Sequence, residues 1–378
     1  MRITIVMGFF LPMPPVAGGA TEKSWDGLAR EFSSAGHQVT ILSRRWPGFS
    51  ADETLAGVRH RRLPGDAHAG RLLANLWRDL LWSWRVWRAL PDADVTIVNC
   101  VALPALLGWL PRRSGHIVLM PGRMPKGQYR LYRRVDRILA VSSPVKDRVL
   151  AENPRLRPVT KIFGYPIDWQ AFSAPRAVSP SSPITIGYIG RIHREKGLEL
   201  LVSAIERLAT VPDLPPWRFV LCGPADVARG GSGEEFRDRL HRRLRQLLPP
   251  ERCEFREPIF AAVPLVALYR QLDVFCYPSL AAQGETFGVA VAEAMAAGAV
   301  PVVSRLPCFT DFVRAGVNGE TFDHTAADRP AQLADAIARL LQDADRRNRL
   351  AAAAREAVRR YDFPNFAAAL LADFSTLK

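Results

Sequence analysis

The chain has 378 residues, of which 48% are hydrophobic and 23% charged, so it can form two ordinary globular domains, each with its own core. The net charge of +14 predicts an anionic partner: a phosphorylated substrate, a membrane surface or nucleic acid. Five scattered cysteines without a CxxC spacing argue against a disulfide framework or a metal site, and no apolar run reaches the roughly 20 residues that span a bilayer.

The first eleven residues are apolar but lack the basic start and the small-residue cleavage site of a signal sequence. We therefore interpret them as the start of a buried strand and expect a cytoplasmic protein. Gly18 and Gly19 follow in the first loop between a strand and a helix, where glycine lets the backbone approach a bound diphosphate or acceptor closely. Strand-like runs then recur through the first half, near residues 2–7, 38–43, 94–99, 116–120, 137–141 and 159–163.

Residues 71–88 have the pattern of an amphipathic helix, with arginines mostly opposite an apolar stripe. The stripe recurs at three- and four-residue spacing and comprises Leu72, Leu73, Leu76, Trp77, Leu80, Leu81, Trp84 and Trp87. Most such stripes pack against their own sheet, and we expect this one to do so. The alternative is a helix that lies on a membrane surface, an interpretation that Trp82, off the stripe, keeps open.

A second basic run follows the strand near residues 116–120. It begins at Arg123 and Lys126 and continues through Arg130, Arg133, Arg134 and Arg137. The run is either a solvated surface or a cradle for a phosphorylated or lipid-diphosphate acceptor, or for anionic lipid head groups. We hypothesise peripheral association with the cytoplasmic face of the membrane.

The second half repeats the alternation of strands and helices, which predicts two parallel sheets flanked by helices. The segment from Ser173 to Pro183 is rich in serine and proline and marks the boundary between the halves. Gly223 ends one of the later strands. These strands fall near residues 184–189, 218–222, 253–256, 274–277, 300–303 and 320–322.

The first strand of the second half runs into Gly190-Arg191, and Lys196-Gly197 then opens a helix. Arg191 and Lys196 are thus predicted on a loop at the carboxyl edge of a parallel sheet, where open α/β folds bind ligands. Two cations at this place can pair with phosphate oxygens, the arginine through its planar fork and the lysine as a point charge. Each residue alone is more typical of a solvated surface, and it is their shared place in the strand-loop-helix unit that favours a binding role.

Residues 284–298 place Glu285 just before an apolar helix and Glu293 inside it. Eight residues of helix span roughly 12 Å at about 1.5 Å per residue, a separation that suits a ligand with hydroxyls at both ends and a diphosphate between them. The helix start, at Phe287, Gly288 and Val289, offers backbone N–H groups and the positive end of the helix dipole to that diphosphate.

Taken together, these motifs resemble the family-4 glycosyltransferases, retaining enzymes of the GT-B fold. The resemblance covers nearly the whole chain. It includes the Gly18-Gly19 loop, the segment 35–40 before the second strand, the segment 135–142, Ile167-Asp168, and the segment 297–304 after the glutamate pair.

The resemblance implies two Rossmann-like domains with the active site between them. They are residues 1–170 on the acceptor side and 184–361 on the nucleotide-sugar side, joined by a linker at 171–183. Residues 362–378 are expected to form a last helix that crosses back to the first domain. The resemblance also implies a glycosyltransferase for polysaccharide, glycolipid or natural-product glycosides, without cofactor or metal.

The resemblance implies hexosyl transfer from a nucleoside diphosphate sugar with the anomeric configuration kept. For this chain we expect a UDP-sugar rather than a GDP-sugar. The resemblance assigns Arg191 and Lys196 to the leaving diphosphate and Glu285 to the transferred sugar. It assigns Glu293 to the ribose and Gly190 to donor binding, with Gly223 in a turn beneath the nucleotide. Arg123 and Lys126 become acceptor-side candidates.

Two positions depart from the family pattern. Many members carry a histidine after the strand that ends here at Leu119-Met120, whereas this chain has Pro121-Gly122-Arg123, and Arg123 is the residue that can occupy that space. Tyr165 replaces the usual asparagine before the interdomain aspartate.

Three other functions remain to be weighed. A glycosidase needs two carboxyl groups about 5–9.5 Å apart, which eight helical residues exceed. A sugar-nucleotide epimerase of the same fold would bind the same donor without an acceptor. A non-catalytic basic protein could bind anions or nucleic acid through charge alone, although no zinc-finger, RNA-binding or basic-zipper signature is present.

Overall fold

The computed structural model describes residues 1–17, 19–109, 114–174 and 183–377. The chain divides into two compact units: Met1–Pro166 together with Phe363–Lys378 form unit 1, and Ile167–Asp362 form unit 2. Each is an α/β unit built on a mostly parallel sheet, so the predicted pair of Rossmann-like halves is confirmed.

Unit 1 begins as the sequence predicts, with strands separated by helices. Its elements are β1 (Arg2–Val6), α1 (Ala20–Ser34), β2 (Gln38–Arg44), β3 (Asp52–Leu55), β4 (Val58–Leu63), α2 (Leu72–Ala89), β5 (Val95–Val98), α3 (Ala102–Leu107), β6 (His116–Leu119), β7 (Arg137–Ala140), α4 (Ser143–Glu152) and β8 (Thr160–Ile162).

The sheet of unit 1 has eight strands in the order β3-β4-β2-β1-β5-β6-β7-β8, parallel except for the β3–β4 pair. Strands β3 and β4 were not predicted, because their charged residues hide the alternation of a strand at the edge of a sheet. Central strands such as β5 are buried on both faces, as parallel strands between two helical layers must be.

Unit 2 consists of α5 (Trp169–Ser173), β9 (Ile184–Ile189), α6 (Leu198–Ala209), β10 (Trp217–Cys222), α7 (Glu234–Leu247), β11 (Cys253–Arg256), α8 (Ala262–Tyr269), β12 (Val274–Tyr277), α9 (Val289–Ala296), β13 (Val300–Ser304), α10 (Pro307–Thr310), β14 (Glu320–Phe322), α11 (Arg329–Gln342) and α12 (Ala344–Val358). The strand order is β11-β10-β9-β12-β13-β14, all parallel. The order reverses at β9, so the loops after β9 and β12 flank the switch point at which open α/β sheets bind ligands.

The boundary between the halves differs from the predicted linker at 171–183. Residues Ile167–Gln170 belong to unit 2 rather than to the first half, and residues 171–173 complete α5, because Asp168 caps that helix by accepting from the Ala171 N–H at 3.0 Å. Residues 175–182 of the predicted linker lie outside the described residues.

The last helix, α13 (Phe363–Phe374), groups with unit 1 and packs on α1. Phe374 meets Phe32 with ring centres 6.2 Å apart. The buried carboxylate of Asp373 accepts from Arg137 at 2.6 Å and from Lys161 at 2.5 Å. These two ion pairs join α13 to β7 and β8.

The prediction that the apolar stripe of α2 packs inward is wrong. The residues that this helix buries are Asp79, Trp82, Ser83 and Val86, whereas most of the leucine and tryptophan stripe is exposed. Polar anchors account for this orientation. The Trp82 indole N–H donates to the Met7 carbonyl at 2.9 Å, and the Asp79 carboxylate accepts the Ala102 N–H at the start of α3 at 2.7 Å.

Among the residues that the structure describes, no helix combines the length and the apolar composition needed to cross a bilayer. The five cysteines are free and buried.

Candidate functional site

The loops after β9 and β12 meet at the carboxyl edge of the sheet in unit 2, and Lys196 and Glu285 form the centre of this meeting. The Lys196 Nζ donates to the Glu285 Oε2 at 2.6 Å. The two residues are 5% and 9% exposed, so this is a nearly buried ion pair. Removal of either partner would leave the charge of the other buried without compensation, which is strongly destabilising.

Local backbone conformation explains why the lysine points inward. Residues 194–196 form one 3-10 turn, and Gly197 ends it with φ +68° and opens α6. A Cβ at Gly197 would lie 2.0 Å from the Pro278 carbonyl oxygen, so glycine is required for the loop after β12 to approach. That loop is then held to the turn by the Leu280 N–H, which donates to the Glu195 carbonyl at 2.7 Å.

Glu195 is a member of this site that the sequence analysis missed. Its carboxylate accepts from the Arg191 guanidinium at 2.9 Å and lies 3.9 Å from the Lys196 Nζ. The Arg191 guanidinium also donates to the Gly230 carbonyl at 2.6 Å. The spacing of four residues between Arg191 and Glu195 was the available signal for this ion pair.

The cations predicted for a diphosphate, Arg191 and Lys196, are therefore each paired with a carboxylate. Formal charges in the group Arg191, Glu195, Lys196 and Glu285 sum to zero. A diphosphate that binds here would have to compete with these ion pairs. The Arg191 side chain keeps 43% of its surface exposed, so it can reorient at low cost.

Two stacked tyrosines lie beside the ion pair. The Lys196 Nζ lies 5.5 Å from the centre of the Tyr277 ring, and Tyr277 stacks on Tyr188 with ring centres 5.6 Å apart. The Tyr188 hydroxyl donates to the Arg191 carbonyl at 2.8 Å. Burial raises the pKa of both tyrosines well above the ordinary value, so they remain neutral.

The predicted glutamate spacing needs a correction. Helix α9 begins only at Val289, after Gly288 with φ +92°, so Glu285 precedes the helix by four residues and lies in a loop. The 12 Å of continuous helix that the sequence suggested therefore does not exist. Glu293 does lie in α9, where it is hydrogen-bonded to Tyr269, a bond that together with burial raises the pKa of that tyrosine.

Phe287 is a core residue rather than part of an open helix start. Its ring is 2% exposed and stacks on Phe312 with centres 4.9 Å apart. Any role of Phe287, Gly288 and Val289 toward a ligand thus falls to their backbone. The missing side chain of Gly288 is also structural, because a Cβ there would lie 2.5 Å from the Phe309 ring.

Gly190 and Gly223 meet where β9 and β10 end. The Gly190 N–H donates to the Cys222 carbonyl at 3.0 Å. A Cβ on Gly223, which has φ +150°, would lie 1.8 Å from the Gly190 carbonyl oxygen. Gly223 is thus required for the approach of the two loops.

A cavity of about 430 Å³ opens beside Gly223, at the carboxyl ends of β9, β10 and β11. The sequence analysis did not find it, because its wall comes from three separate loops and α7. Within it, His241 lies on Phe255 with ring centres 3.8 Å apart, and burial lowers the pKa of His241 to about 4. The lining also includes Ile192, Ala225, Asp226, Arg229, Arg237, Arg256 and Pro258.

The corresponding edge of unit 1 gathers a second set of residues. Gly19 has φ +96° and caps α1, and a Cβ there would lie 2.1 Å from the carboxylate of Glu22. Glu22 is 6% exposed, and burial raises its pKa, an effect that its own N–H and Arg123 partly offset. Glu22 was missed by the sequence analysis, although its place in the first turn after a glycine loop is typical of a ligand-binding edge.

Arg123 and Lys126, the acceptor-side candidates, lie on the surface of unit 1. Tyr165, which departs from the expected asparagine, is buried and hydrogen-bonded to Ser24 and Thr21, and burial raises its pKa. Gly18 lies outside the described residues. Among the described residues, no group of three His, Cys, Asp or Glu side chains is placed to hold a metal ion.

Comparison with known proteins identifies relatives of both units. A family model described as "Glycosyl transferases group 1" matches residues 171–357, and one described as "Glycosyltransferase Family 4" matches residues 18–160. The chain is 32% identical over 207 residues to D-inositol 3-phosphate glycosyltransferase of Corynebacterium urealyticum, covering 54% of this chain and 46% of the relative. It is 31% identical over 218 residues to phosphatidyl-myo-inositol mannosyltransferase of Mycobacterium tuberculosis, covering 57% and 53%.

The chain thus spans about half the length of these curated relatives. Among solved structures it is similar to Anabaena Alr3699/HepE in complex with UDP, with a TM-score of 0.73, 16% identity and all of both chains covered. At that identity the likeness shows the fold.

Proposed function

Because the chain belongs to glycosyltransferase family 4 and has the GT-B fold, we propose that it transfers a hexosyl group from a nucleoside diphosphate sugar to an acceptor hydroxyl, with retention of configuration. The observation that carries this proposal is the buried ion pair between Lys196 and Glu285 at 2.6 Å, at the switch point of the sheet in unit 2. It places a cation and an acceptor of sugar hydroxyl hydrogen bonds side by side.

The proposed division of roles follows from this geometry. Arg191 and Lys196 exchange their carboxylate partners for oxygens of the diphosphate, which neutralises the leaving group as it departs. Glu285, released from part of its ion pair, accepts hydrogen bonds from hydroxyls of the transferred sugar. The acceptor attacks from the face that the diphosphate leaves, and a phosphate oxygen takes the acceptor proton.

The remaining donor contacts come from the backbone and from Glu293. We assign the N–H groups around Phe287 to Val289 to the phosphate and Glu293 to the ribose. Gly190 and Gly223 allow the two loops to approach the diphosphate without side chains. The adjoining cavity of about 430 Å³ offers room for the nucleoside, with a wall of mixed aromatic and charged residues.

We favour UDP over GDP as the donor nucleotide, since the structure of similar fold was solved in complex with UDP. The catalysis that we propose uses no metal, because protein cations at the site would supply the charge that a metal provides elsewhere.

For the acceptor, the two relatives act on inositol that carries a phosphoryl group, according to their names. We propose an acceptor with hydroxyl and phosphoryl groups in carbohydrate or glycolipid biosynthesis, bound near Arg123 and Lys126. We place the reaction in the cytoplasm and its acceptor at the cytoplasmic face of the membrane.

Nucleotide release from a panel of UDP-, GDP- and ADP-sugars, in the presence of a chelator, tests the proposal. We expect release from one donor, and its loss in Glu285→Ala. Glu356→Ala is the matched control, because Glu356 is an exposed helical carboxylate in unit 2 with a side chain 71% exposed. Release that is equal in all three proteins would overturn the assignment of Glu285.

The same samples separate the other functions. An epimerase would convert the sugar of the donor without releasing nucleotide. A protein that binds anions through charge alone would bind nucleic acid with an affinity that falls steeply with salt and is unchanged in Glu285→Ala.

A further inference from the structure

The exposed face of α2 is an apolar surface with an exposed arginine near each end of the helix, Arg71 and Arg88. Six large apolar side chains are 40–79% exposed there: Leu72, Leu73, Leu76, Trp77, Leu80 and Trp84. At 3.6 residues per turn they cover about 140° of the helix circumference, and the buried Trp82 lies on the far side of the helix. We call these six residues the α2 stripe. Leucines and tryptophans this exposed on one helix are unusual on a monomer that meets only water.

The orientation of α2 is determined by its buried face, so the exposure of the stripe is not an accident of a loosely held helix. Trp82 is fully buried and hydrogen-bonded to Met7. Asp79 accepts N–H groups of Val101 and Ala102, the residues at the start of α3. Rotation of the helix to bury the stripe would remove these hydrogen bonds and expose Trp82.

The charges on α2 are almost all positive. Between residues 71 and 89 the helix carries Arg71, Arg78, Arg85 and Arg88, and its only acidic residue is Asp79. Asp79 is buried and bonded to α3, so it does not offset Arg71 and Arg88. Arg85 is paired with Asp66 at 3.4 Å, and Arg78 donates to the Ala67 carbonyl. The Arg88 guanidinium lies 5.0 Å from the centre of the Trp84 ring, at the border of the stripe.

A second exposed apolar pair lies by the helix on which α2 packs. Trp109 follows α3 and is 69% exposed, and the Arg133 guanidinium lies 4.1 Å from the centre of its ring. Leu131, two residues before Arg133 in the sequence, is 64% exposed. The combination of exposed leucine or tryptophan with arginine thus recurs next to α2.

We propose that the α2 stripe is a docking surface for a bilayer that contains anionic lipid, with the helix lying in the plane of the interface. A helix with tryptophan and leucine on one face and arginine beside them has the composition of an interfacial helix. Tryptophan suits the head-group region because its ring is apolar and its N–H is polar.

Charge complementarity favours a bilayer over a second copy of the chain. In a two-fold dimer through the stripe, the arginines of one helix would face the arginines of the other, with no carboxylate of α2 available to pair with them. An anionic lipid surface instead attracts the exposed Arg71 and Arg88 and buries the apolar side chains.

The experiment is flotation of the full chain with vesicles made of equal parts phosphatidylcholine and phosphatidylglycerol, and with phosphatidylcholine alone. Arg123→Ala with Lys126→Ala is floated in parallel, because phosphatidylglycerol carries the hydroxyl and phosphoryl groups of the proposed acceptor; normal flotation of this variant excludes capture through the acceptor site. We expect the wild type to float with the mixed vesicles, and to do so less at high salt, where the lipid charge is screened.

Leu73→Ser with Trp77→Ser should lower the partition coefficient by about tenfold or more, because two apolar side chains no longer enter the interface. The matched control is Val263→Ser with Val317→Ser, at positions that are 82% and 58% exposed in unit 2, and it should float like the wild type. Thermal unfolding of both variants verifies that the fold is kept.

Arg71→Ser with Arg88→Ser should lower binding to the mixed vesicles by roughly fivefold for each arginine. Arg242→Ser with Arg349→Ser removes the same charge from α7 and α12 and serves as its control. Equal flotation of the two arginine variants would show that net charge alone drives binding, and would overturn the proposal.

Two further results would also overturn it: a wild type that stays at the bottom with the mixed vesicles, and a stripe variant that floats like the wild type. A wild-type dimer that the stripe variant converts to a monomer would assign the surface to a second copy instead. Glu285→Ala should float normally, so failure of the docking surface and failure of the proposed transfer reaction give different patterns.

Discussion

The carboxyl edges of the two sheets hold similar groups but balance their charge differently. In unit 2, Glu285 is buried in contact with Lys196 at 2.6 Å. In unit 1, Glu22 is buried to a similar degree, and Arg123 offsets only part of the rise in its pKa that burial causes. One buried carboxylate thus has a cation in direct contact, whereas burial disfavours the charged form of the other, Glu22.

The largest effect is expected from Lys196→Met, which breaks the ion pair with Glu285 in unit 2. Turnover of the donor should fall by about 10²- to 10³-fold, because a preorganised cation at the leaving group is lost. The free energy of unfolding should fall by about 3 kcal/mol or more, since Glu285 would be buried without a partner. Nucleotide release and urea unfolding measure the two effects.

Arg349→Met is the control for that variant, because Arg349 is an exposed cation on α12 in the same unit. Lys196→Met with the stability and turnover of the wild type would show that the ion pair between Lys196 and Glu285 has no role at the site.

Unit 1 should gain stability when the charge of the buried Glu22 is removed. Glu22→Gln is expected to raise the free energy of unfolding at neutral pH by on the order of 1 kcal/mol, because a charged group is no longer buried. The sign follows from linkage. A raised pKa means that the folded state binds more protons than the unfolded state above the ordinary value of 4.5, so stability falls as pH rises through that range.

The gain from Glu22→Gln should therefore shrink as the pH is lowered toward 4.5, as urea unfolding at a series of pH values would show. A gain that is constant with pH would mean that the titration of Glu22 is not its source.

Glu195→Gln sharpens the comparison within unit 2, because Glu195 is the carboxylate that a diphosphate must displace from Arg191. Its loss should tighten the binding of UDP by about twofold to fivefold, as expected for one partly exposed ion pair. Isothermal titration calorimetry measures this affinity. Weaker binding would instead show that Glu195 positions the arginine for the phosphate.

The smallest effect is expected from Arg123→Ala, which removes the cation that partly offsets the burial of Glu22. The free energy of unfolding at neutral pH should fall by less than about 1 kcal/mol. In a Glu22→Gln background the same substitution should have no effect on stability. A double-mutant cycle with equal effects in both backgrounds would show that the two residues do not interact.

The fold was largely predictable because parallel strands between helices leave a strong pattern. Continuous apolar runs identified β5, β12 and β13, whereas β3 and β4 escaped because arginines and acids occupy that edge of the sheet. Residue types that need a particular backbone were also informative: Gly197 and Gly223 stand where the loops make contacts that a Cβ would prevent.

The site was predictable in its members but not in its pairing. Lys196 and Glu285 were assigned to different parts of a donor, and the structure shows that they bind each other. Their separation of 89 residues gives no local signal of contact. The cavity beside Gly223 was missed for the same reason, since no single segment forms it.

The sequence by itself determined the class of fold, the positions of most strands along the chain and the loops on which the charged residues lie. Periodicity and glycine positions can do this because they report local backbone preferences. The tertiary structure alone decided which charges pair and which face of α2 is buried. The periodicity of residues 71–88 identifies an amphipathic helix but not its orientation: the hydrogen bonds of Trp82 and Asp79 to distant backbone groups turn the less apolar face inward. Buried polar groups must find partners, and where those partners lie is a property of the folded chain.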